Sequence, residues 1–242
     1  KYKLGLHPSV LNFLLCALWA ASGHPRNSEI IGKAGGIVFL LNIYKSCVVK
    51  LRQLENTSTS HATINLLIQR TLGVIYVLSF SKKNQLFLAD STAMSHLLYS
   101  LNDENSKSVA TTIAVLWKMA ESVDCAESMI ENGFVSKLLE VVNDSMRPSK
   151  ARNNAANVLE IMATFSSLSS SFRHRAGKCG ETVIEQMLVS MLNDDSFEIN
   201  AYACKSLARL AMMNRQQVIL RLNGIHRLLR VAQRASNEYN SK

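Results

Sequence analysis

Residues 17–41 read A-L-W-A-A-S-G-H-P-R-N-S-E-I-I-G-K-A-G-G-I-V-F-L-L. Three features stand in order: an apolar anchor at Leu18, a glycine further on at Gly35, and a leucine pair at Leu40-Leu41. The order recurs. Anchors equivalent to Leu18 sit in G-V-I-Y-V-L-S from Gly73, A-V-L-W-K-M-A from Ala114, N-V-L-E-I-M-A from Asn157 and K-S-L-A-R-L-A from Lys205. They are Ile75, Leu116, Leu159 and Leu207. The offset from Leu18 to Gly35 leads, unchanged, from Ile75 to Thr92, from Leu116 to Gly133 and from Leu207 to Gly224. Each of these positions is followed by a leucine pair: Leu40-Leu41, Leu97-Leu98, Leu138-Leu139 or Leu228-Leu229. The fourth unit fits less well, because Gly177 and Gly180 fall later and a serine-rich stretch, Ser166 to Ser171, precedes them. Successive anchors lie about 40–60 residues apart, and repetition on that scale marks stacked supersecondary units.

Each unit has a simple physical reading. Apolar residues at three- and four-residue spacing, as in Ile113, Leu116, Trp117 and Ala120, predict a helix with one buried face. The glycine permits a sharp, left-handed turn, and the leucine pair begins the burial of the returning helix. No single unit can bury its apolar face alone, whereas a stack of them shares one continuous core.

Composition agrees with helices. Only 3 prolines and 10 glycines among 242 residues leave an all-β chain short of turn residues, and 48% hydrophobic content excludes wholesale disorder. No apolar run approaches the roughly 20 residues of a membrane helix, so a soluble chain is expected. A chain opening on Lys1 is expected to be a piece of a longer protein. Cys16, Cys47, Cys125, Cys179 and Cys204 are scattered without C-x-x-C pairing, which predicts reduced core thiols and a location in the cytoplasm, the nucleus or both. In that compartment the glycosylation triplets at Asn56 and Asn143 carry no meaning. The formal charge of +9, from 27 Lys and Arg against 18 Asp and Glu, favours anionic partners.

The units A-L-W…A-G-G-I-V-F-L-L (17–41), V-L-W-K-M-A…E-N-G-F-V-S-K-L-L (115–139) and S-L-A-R-L-A…L-N-G-I-H-R-L-L (206–229) resemble the armadillo repeat family. HEAT repeats are the nearest competitor and seldom place a glycine before a leucine pair. The resemblance covers nearly the whole chain. It implies an all-α, right-handed superhelix of about five repeats, each with a short first helix, a second helix and a long third helix lining a concave groove. The expected organisation is one repeat domain over 1–242, with units at roughly 4–45, 62–101, 103–143, 147–192 and 194–235 and an insertion loop at 46–61. Within that insertion the helix is expected to run to Leu54 before an exposed polar loop begins.

Catalytic signatures fail one by one. A Walker loop around Gly32-Lys33 would need glycine where Asn27 stands and Ser or Thr where Ala34 stands; Gly177-Lys178 fails at Phe172. The six histidines, His7, His24, His61, His96, His174 and His226, are far apart, and no H-E-x-x-H, C-x-x-C or G-x-S-x-G spacing occurs. No enzyme, no cofactor and no metal site are expected.

The resemblance implies a groove instead. In the family an asparagine two residues after the anchor holds a peptide backbone, and in the importin-α branch a tryptophan four residues earlier joins it. Here the first set is Ala20, Val77, Lys118, Ile161 and Arg209, and the second is Cys16, Gly73, Ala114, Asn157 and Lys205. Neither ladder is present, which argues against a receptor for nuclear localisation signals. The groove residues expected are Lys118, Arg152, Asn153, Asn154, Asn157, Lys205 and Arg209, similar in character to the positively lined groove of β-catenin. Trp19 and Trp117, one residue after their anchors, with Tyr76 between them, suit either an aromatic stripe or the core, and core packing is the reading preferred. Arg221, Arg227, Arg230 and Arg234, with His226, form a basic strip near the end of the chain, where a terminal repeat also needs a polar face.

The sequence therefore predicts a non-enzymatic protein-interaction scaffold holding an extended or helical, acidic or phosphorylated protein segment in its groove. Two alternatives stand beside it. One is the substrate-recognition arm of a larger enzyme, as in plant U-box ubiquitin ligases. The other is a nucleic-acid or anionic-membrane binder acting through the basic strip. Reversing Lys205 and Arg209 to Glu is expected to weaken the partner without unfolding the chain.

Overall fold

His7-Pro8 and His24-Pro25 start the first two helices in the same way. Each imidazole Nδ1 accepts the amide hydrogen two residues on, from Ser9 and Arg26, at 3.3 Å, while the proline occupies a position whose missing N–H costs nothing. From there the computed structural model is helical and turn throughout, with no strand among the described residues, which are 7–53, 59–102, 106–168, 186, 188–212 and 216–240. Contacts divide the chain into two compact units, Lys1–Ser128 and Met129–Lys242.

The first unit contains α1 (Pro8–Ser22), α2 (Pro25–Lys33), α3 (Gly36–Leu51), α4 (Thr59–Leu78), α5 (Lys82–Leu88), α6 (Ser91–Ser100) and α7 (Ser106–Ala120), and ends within α8 (Val123–Glu131). The rhythm is short, medium, long: α2, α3, α4 and then α5, α6, α7. Helix α4 packs on α1, α3 and α7, and α6 packs on α3 and α7. Wholly buried there are the anchors Ile75 and Leu116, with Leu15, Leu72 and Met119 one turn from an anchor, and Leu40 and Ile43 from α3.

The second unit holds α9 (Phe134–Asn143), α10 (Ser149–Leu168), a helical stretch at 188–191, α11 (Phe197–Met212), α12 (Gln216–Arg221) and α13 (Gly224–Asn240). Helix α10 packs on α9 and α11, and α11 on α12 and α13, around Phe134, Leu138, Val142, Leu159, Ile199 and Leu207.

The turn before the second helix is made in three chemical ways. Gly35 and Gly133 are left-handed, at φ 80° and 81°, where a side chain would be strained. Before α13 the left-handed residue is Asn223, at φ 59°, one position ahead of the predicted Gly224, which is instead the first residue of the helix. Asparagine tolerates this conformation better than other non-glycine residues. In the repeat where Thr92 replaces glycine, Asp90 caps α6 by accepting the Thr92 amide hydrogen at 2.9 Å.

Two sequence expectations change. In the insertion at 46–61, expected to stay helical to Leu54 and then to become a loop, α3 does continue past Ser46 but ends at Leu51, and α4 already begins at Thr59. Buried Cys47 and Val48 hold α3 past Ser46, and the Arg52 guanidinium then stacks on the Tyr99 ring at 4.9 Å. Residues 54–58 lie outside the described residues. Of the expected serine-rich loop, Ser166–Leu168 form the end of α10, while Ser169–Ser171, Gly177, Cys179 and Gly180 lie outside the described residues.

Short helices carry the polar ties between repeats. Buried Asn84 on α5 donates to Ser28 O at 3.0 Å, Ser28 Oγ at 3.1 Å and Leu78 O at 3.1 Å. Its neighbour Gln85 donates to Ser79 O at 2.9 Å and Lys118 O at 3.0 Å. A Cβ at Gly32 would lie 1.8 Å from Asn84 Oδ1, so the glycine beside Lys33 is there for this close contact and not for a phosphate.

Candidate functional site

The long helices α1, α4 and α7 present one shared face in the first unit. Trp19 from α1, Leu66, Gln69, Arg70, Gly73 and Tyr76 from α4, and Lys107, Ala110 and Thr111 from α7 line an open cavity of about 560 Å3. Trp19 packs directly on Gly73: a Cβ there would be 2.5 Å from indole Cζ3. Position 73 is one of the places expected for a tryptophan ladder, and its bare backbone is covered by an indole from the neighbouring helix. Trp19 remains 45% exposed and Trp117 37% exposed, so the preferred core-packing reading of both is corrected in favour of an exposed aromatic stripe. A side chain one position past the anchor points beside the core instead of into it, and that distinction of about one helical step is what a 3.6-residue period resolves poorly in a single sequence.

Lys118 continues this face within the first unit. Its ammonium lies 5.1 Å from the centroids of both the Phe80 and the Trp117 rings and 2.9 Å from Glu121 Oε1. Tyr76 meets Phe80 edge to face at 5.1 Å, so the stripe carries rings with a cation lodged among them. Arg70 also contacts the thiol of exposed Cys16.

The expected groove residues of the second unit take different roles. Arg152 donates through Nε to Val142 O at 2.7 Å and pairs with Asp194 Oδ2 at 2.5 Å, with only 14% of its side chain exposed. It is an internal tie, a correction to its assignment as a groove ligand. The register explains it: seven residues before their anchors, α1, α4 and α7 carry the buried Leu11, Ile68 and Val109, and α11 carries buried Asn200. Asn200 donates to Asp194 O at 3.0 Å, so Arg152 and Asn200 secure the same turn. That equivalence was open to view in the sequence and is the signal that would have found the tie.

Asn153, Asn154 and Asn157 are half-buried along one face of α10, and the Asn153 amide oxygen accepts from Ser196 Oγ at 3.4 Å. Lys205 is exposed, with Nζ 3.4 Å from Oε1 of Glu160, a carboxylate only 4% exposed. A glutamate at 205 would face that buried carboxylate, so charge reversal at Lys205 disturbs the fold as well as any ligand, correcting the expectation that the reversal is structurally silent. The side chain of Arg209 lies outside the described residues. Arg227, Arg230 and Arg234 gather with His226 around a cavity on α13, whereas Arg221, on α12, is exposed away from its lining.

Among the described residues no three His, Cys, Asp or Glu side chains are grouped to hold a metal ion, and no single helix is long and apolar enough to cross a membrane. Cys47 and Cys125 are buried as expected, whereas Cys16 is exposed; Cys179 lies outside the described residues. Burial pushes the Cys47 thiol up to about 11 against the opposing pull of Lys50, and burial likewise raises Cys125 and Cys204.

No protein-family model and no curated protein matches the sequence. Solved structures do match the fold. An engineered protein from the Northeast Structural Genomics Consortium aligns with a TM-score of 0.66 at 16% identity, covering 98% of this chain and 93% of its own. A designed armadillo repeat protein in complex with the peptide (KR)4 aligns at 0.63 and 18% identity, covering 89% and 82%. Computationally designed armadillo repeat proteins for modular peptide recognition align at 0.59 and 15% identity, covering 90% and 91%. The fold is therefore an all-α superhelix of armadillo type.

Proposed function

We propose that this protein is a non-enzymatic interaction scaffold whose long helices hold an extended or helical protein segment rich in acidic and aromatic residues. The observation that carries the reading is Trp19, half-exposed on Gly73, opening onto a cavity bordered by Arg70 and Lys107. A large, rigid ring with cations beside it is the composition of an interface anchor: the ring supplies buried area, and the guanidinium and ammonium select a carboxylate neighbour. Helices fixed by their own packing leave little ordering cost on the scaffold side.

The structural neighbours support the general class. One holds a basic peptide, (KR)4, and others were designed for peptide recognition. Here the net charge of +9 and the basic border of the cavity call for the opposite sign of partner. Within the first unit Lys118 extends the proposed contact set, and in the second unit Asn153, Asn154 and Asn157 offer an amide face of their own. The amides suit backbone hydrogen bonding, and Lys118 suits a carboxylate.

The test is a titration of tryptophan emission with two extended octapeptides, one alternating Glu with Phe and the other (KR)4. The acidic peptide is expected to bind, to weaken as salt rises, and to lose about tenfold or more in affinity on Trp19→Ala. Equal binding of the basic peptide, or full affinity in Trp19→Ala, would refute the reading.

A further inference from the structure

The second unit carries a basic cavity of its own. Leu192, Asn193, Asn223, His226, Arg227, Arg230 and Arg234 enclose about 380 Å3 between the turn after the 188–191 helix and α13. The three arginines fall at three- and four-residue spacing and so share one face of α13. Backbone carbonyls at the end of the preceding helix orient two of them. Arg227 Nη1 donates to Val189 O at 3.2 Å, and Arg234 Nη2 donates to Leu192 O at 3.5 Å and to Asp194 O at 3.1 Å. Helix C-terminal carbonyls lack intrahelical partners, so these bonds hold the guanidinium planes while consuming one nitrogen from each.

Donor capacity is left over. A guanidinium has five N–H groups, and Arg234 Nε is buried without a hydrogen-bond partner among the described residues. Among the described residues Arg230 meets only the His226 ring, Nη2 to Nε2 at 3.4 Å. Opposing charge is slight: the Asp194 carboxylate is taken by Arg152, and Asp195, fully exposed, stands 3.9 Å from Arg234 Nη1. Among the described residues, three guanidinium groups thus face one loosely held carboxylate.

We infer that this cavity is a binding site for a phosphomonoester group. Converging guanidinium forks match the several oxygens and double charge of a phosphate monoester better than the two oxygens of a carboxylate. Among the described residues its lining has no Phe, Tyr or Trp on which single-stranded bases could stack, which disfavours nucleic acid. Its arginines surround a concavity instead of spreading along a flat strip, which disfavours a membrane surface.

Isothermal titration of the whole chain at fixed ionic strength tests this, using inorganic phosphate and a phosphoserine hexapeptide with its unphosphorylated twin. Phosphate or the phosphopeptide is expected to bind and the twin not. A phosphopeptide tighter than phosphate identifies a protein source for the group, and equal affinities identify the free anion. Arg230→Gln, which breaks only the contact with His226, is expected to weaken binding at least about tenfold, with Arg230→Lys intermediate. Arg221→Gln, off the cavity, should change nothing. Binding unaffected by Arg230→Gln, equal binding of the twin, or an equal loss in Arg221→Gln would overturn the site.

Discussion

The long helices of the two units occupy equivalent places in the repeat and have opposite chemistry. In the first, Trp19, Tyr76, Trp117 and Phe80 leave rings partly open to solvent, with Lys118 among them. In the second, the corresponding surface is amide and charge, and part of that charge is already paired with buried carboxylates: Arg152 holds Asp194, and exposed Lys205 reaches Glu160. Exposed polarity in a sequence is therefore not the same as available polarity. A buried carboxylate claims its cation before any ligand does, because leaving it uncompensated costs several kcal/mol.

The sharpest way to break that contrast is Arg152→Ala. It strands Asp194, only 7% exposed, and should destabilise the second unit by about 3 kcal/mol, read as loss of amide-exchange protection in α10 and α11. Protection there equal to wild type would mean that Arg152 is available to a ligand after all. Next comes Trp19→Ala, with an expected loss of about 2 kcal/mol in affinity for the acidic peptide and little change in thermal midpoint, since the ring is half in water. A large drop in the midpoint with affinity intact would return Trp19 to the core.

Gly133→Ala is expected to cost about 1–2 kcal/mol by thermal denaturation, because the residue is left-handed at φ 81° with nothing near its would-be Cβ and the penalty is backbone strain alone. Asn223→Gly, the mirror of that change, should be neutral or mildly stabilising. Smaller still is the effect of Lys118→Met, about 0.5–1 kcal/mol on the first unit, from its lost contacts with two rings. Finally, mass spectrometry after brief alkylation in mildly alkaline buffer should show Cys16 modified well before Cys47, whose thiol is buried and pushed up to about 11. Equal rates would show that the first unit opens readily around α3.

Much of the repeat was readable from spacing. The anchors Ile75, Leu116 and Leu159 are wholly buried, and Leu207 almost so, because an apolar residue at a fixed phase of a long helix has nowhere else to go in a stack. Leu18, on the first long helix, is only half-buried. The glycine offset identified Gly35 and Gly133 correctly and missed Asn223 and Asp90, since a turn can be made by any residue that meets its geometry. The basic residues near the chain end were legible as a strip, but their grouping around a cavity, with Arg221 excluded, was not.

What the sequence determined by itself is the periodic part: helices, their order and the faces that must be covered. Hydrophobic spacing is a local property, and a 3.6-residue period records it directly. What only the tertiary structure decided is which side chains remain available. Trp19 is held in view because Gly73, on a different repeat, gives it an open seat, and Arg152 is withdrawn because Asp194, also remote in the chain, demands its charge. Both outcomes depend on contacts between residues that no local spacing relates.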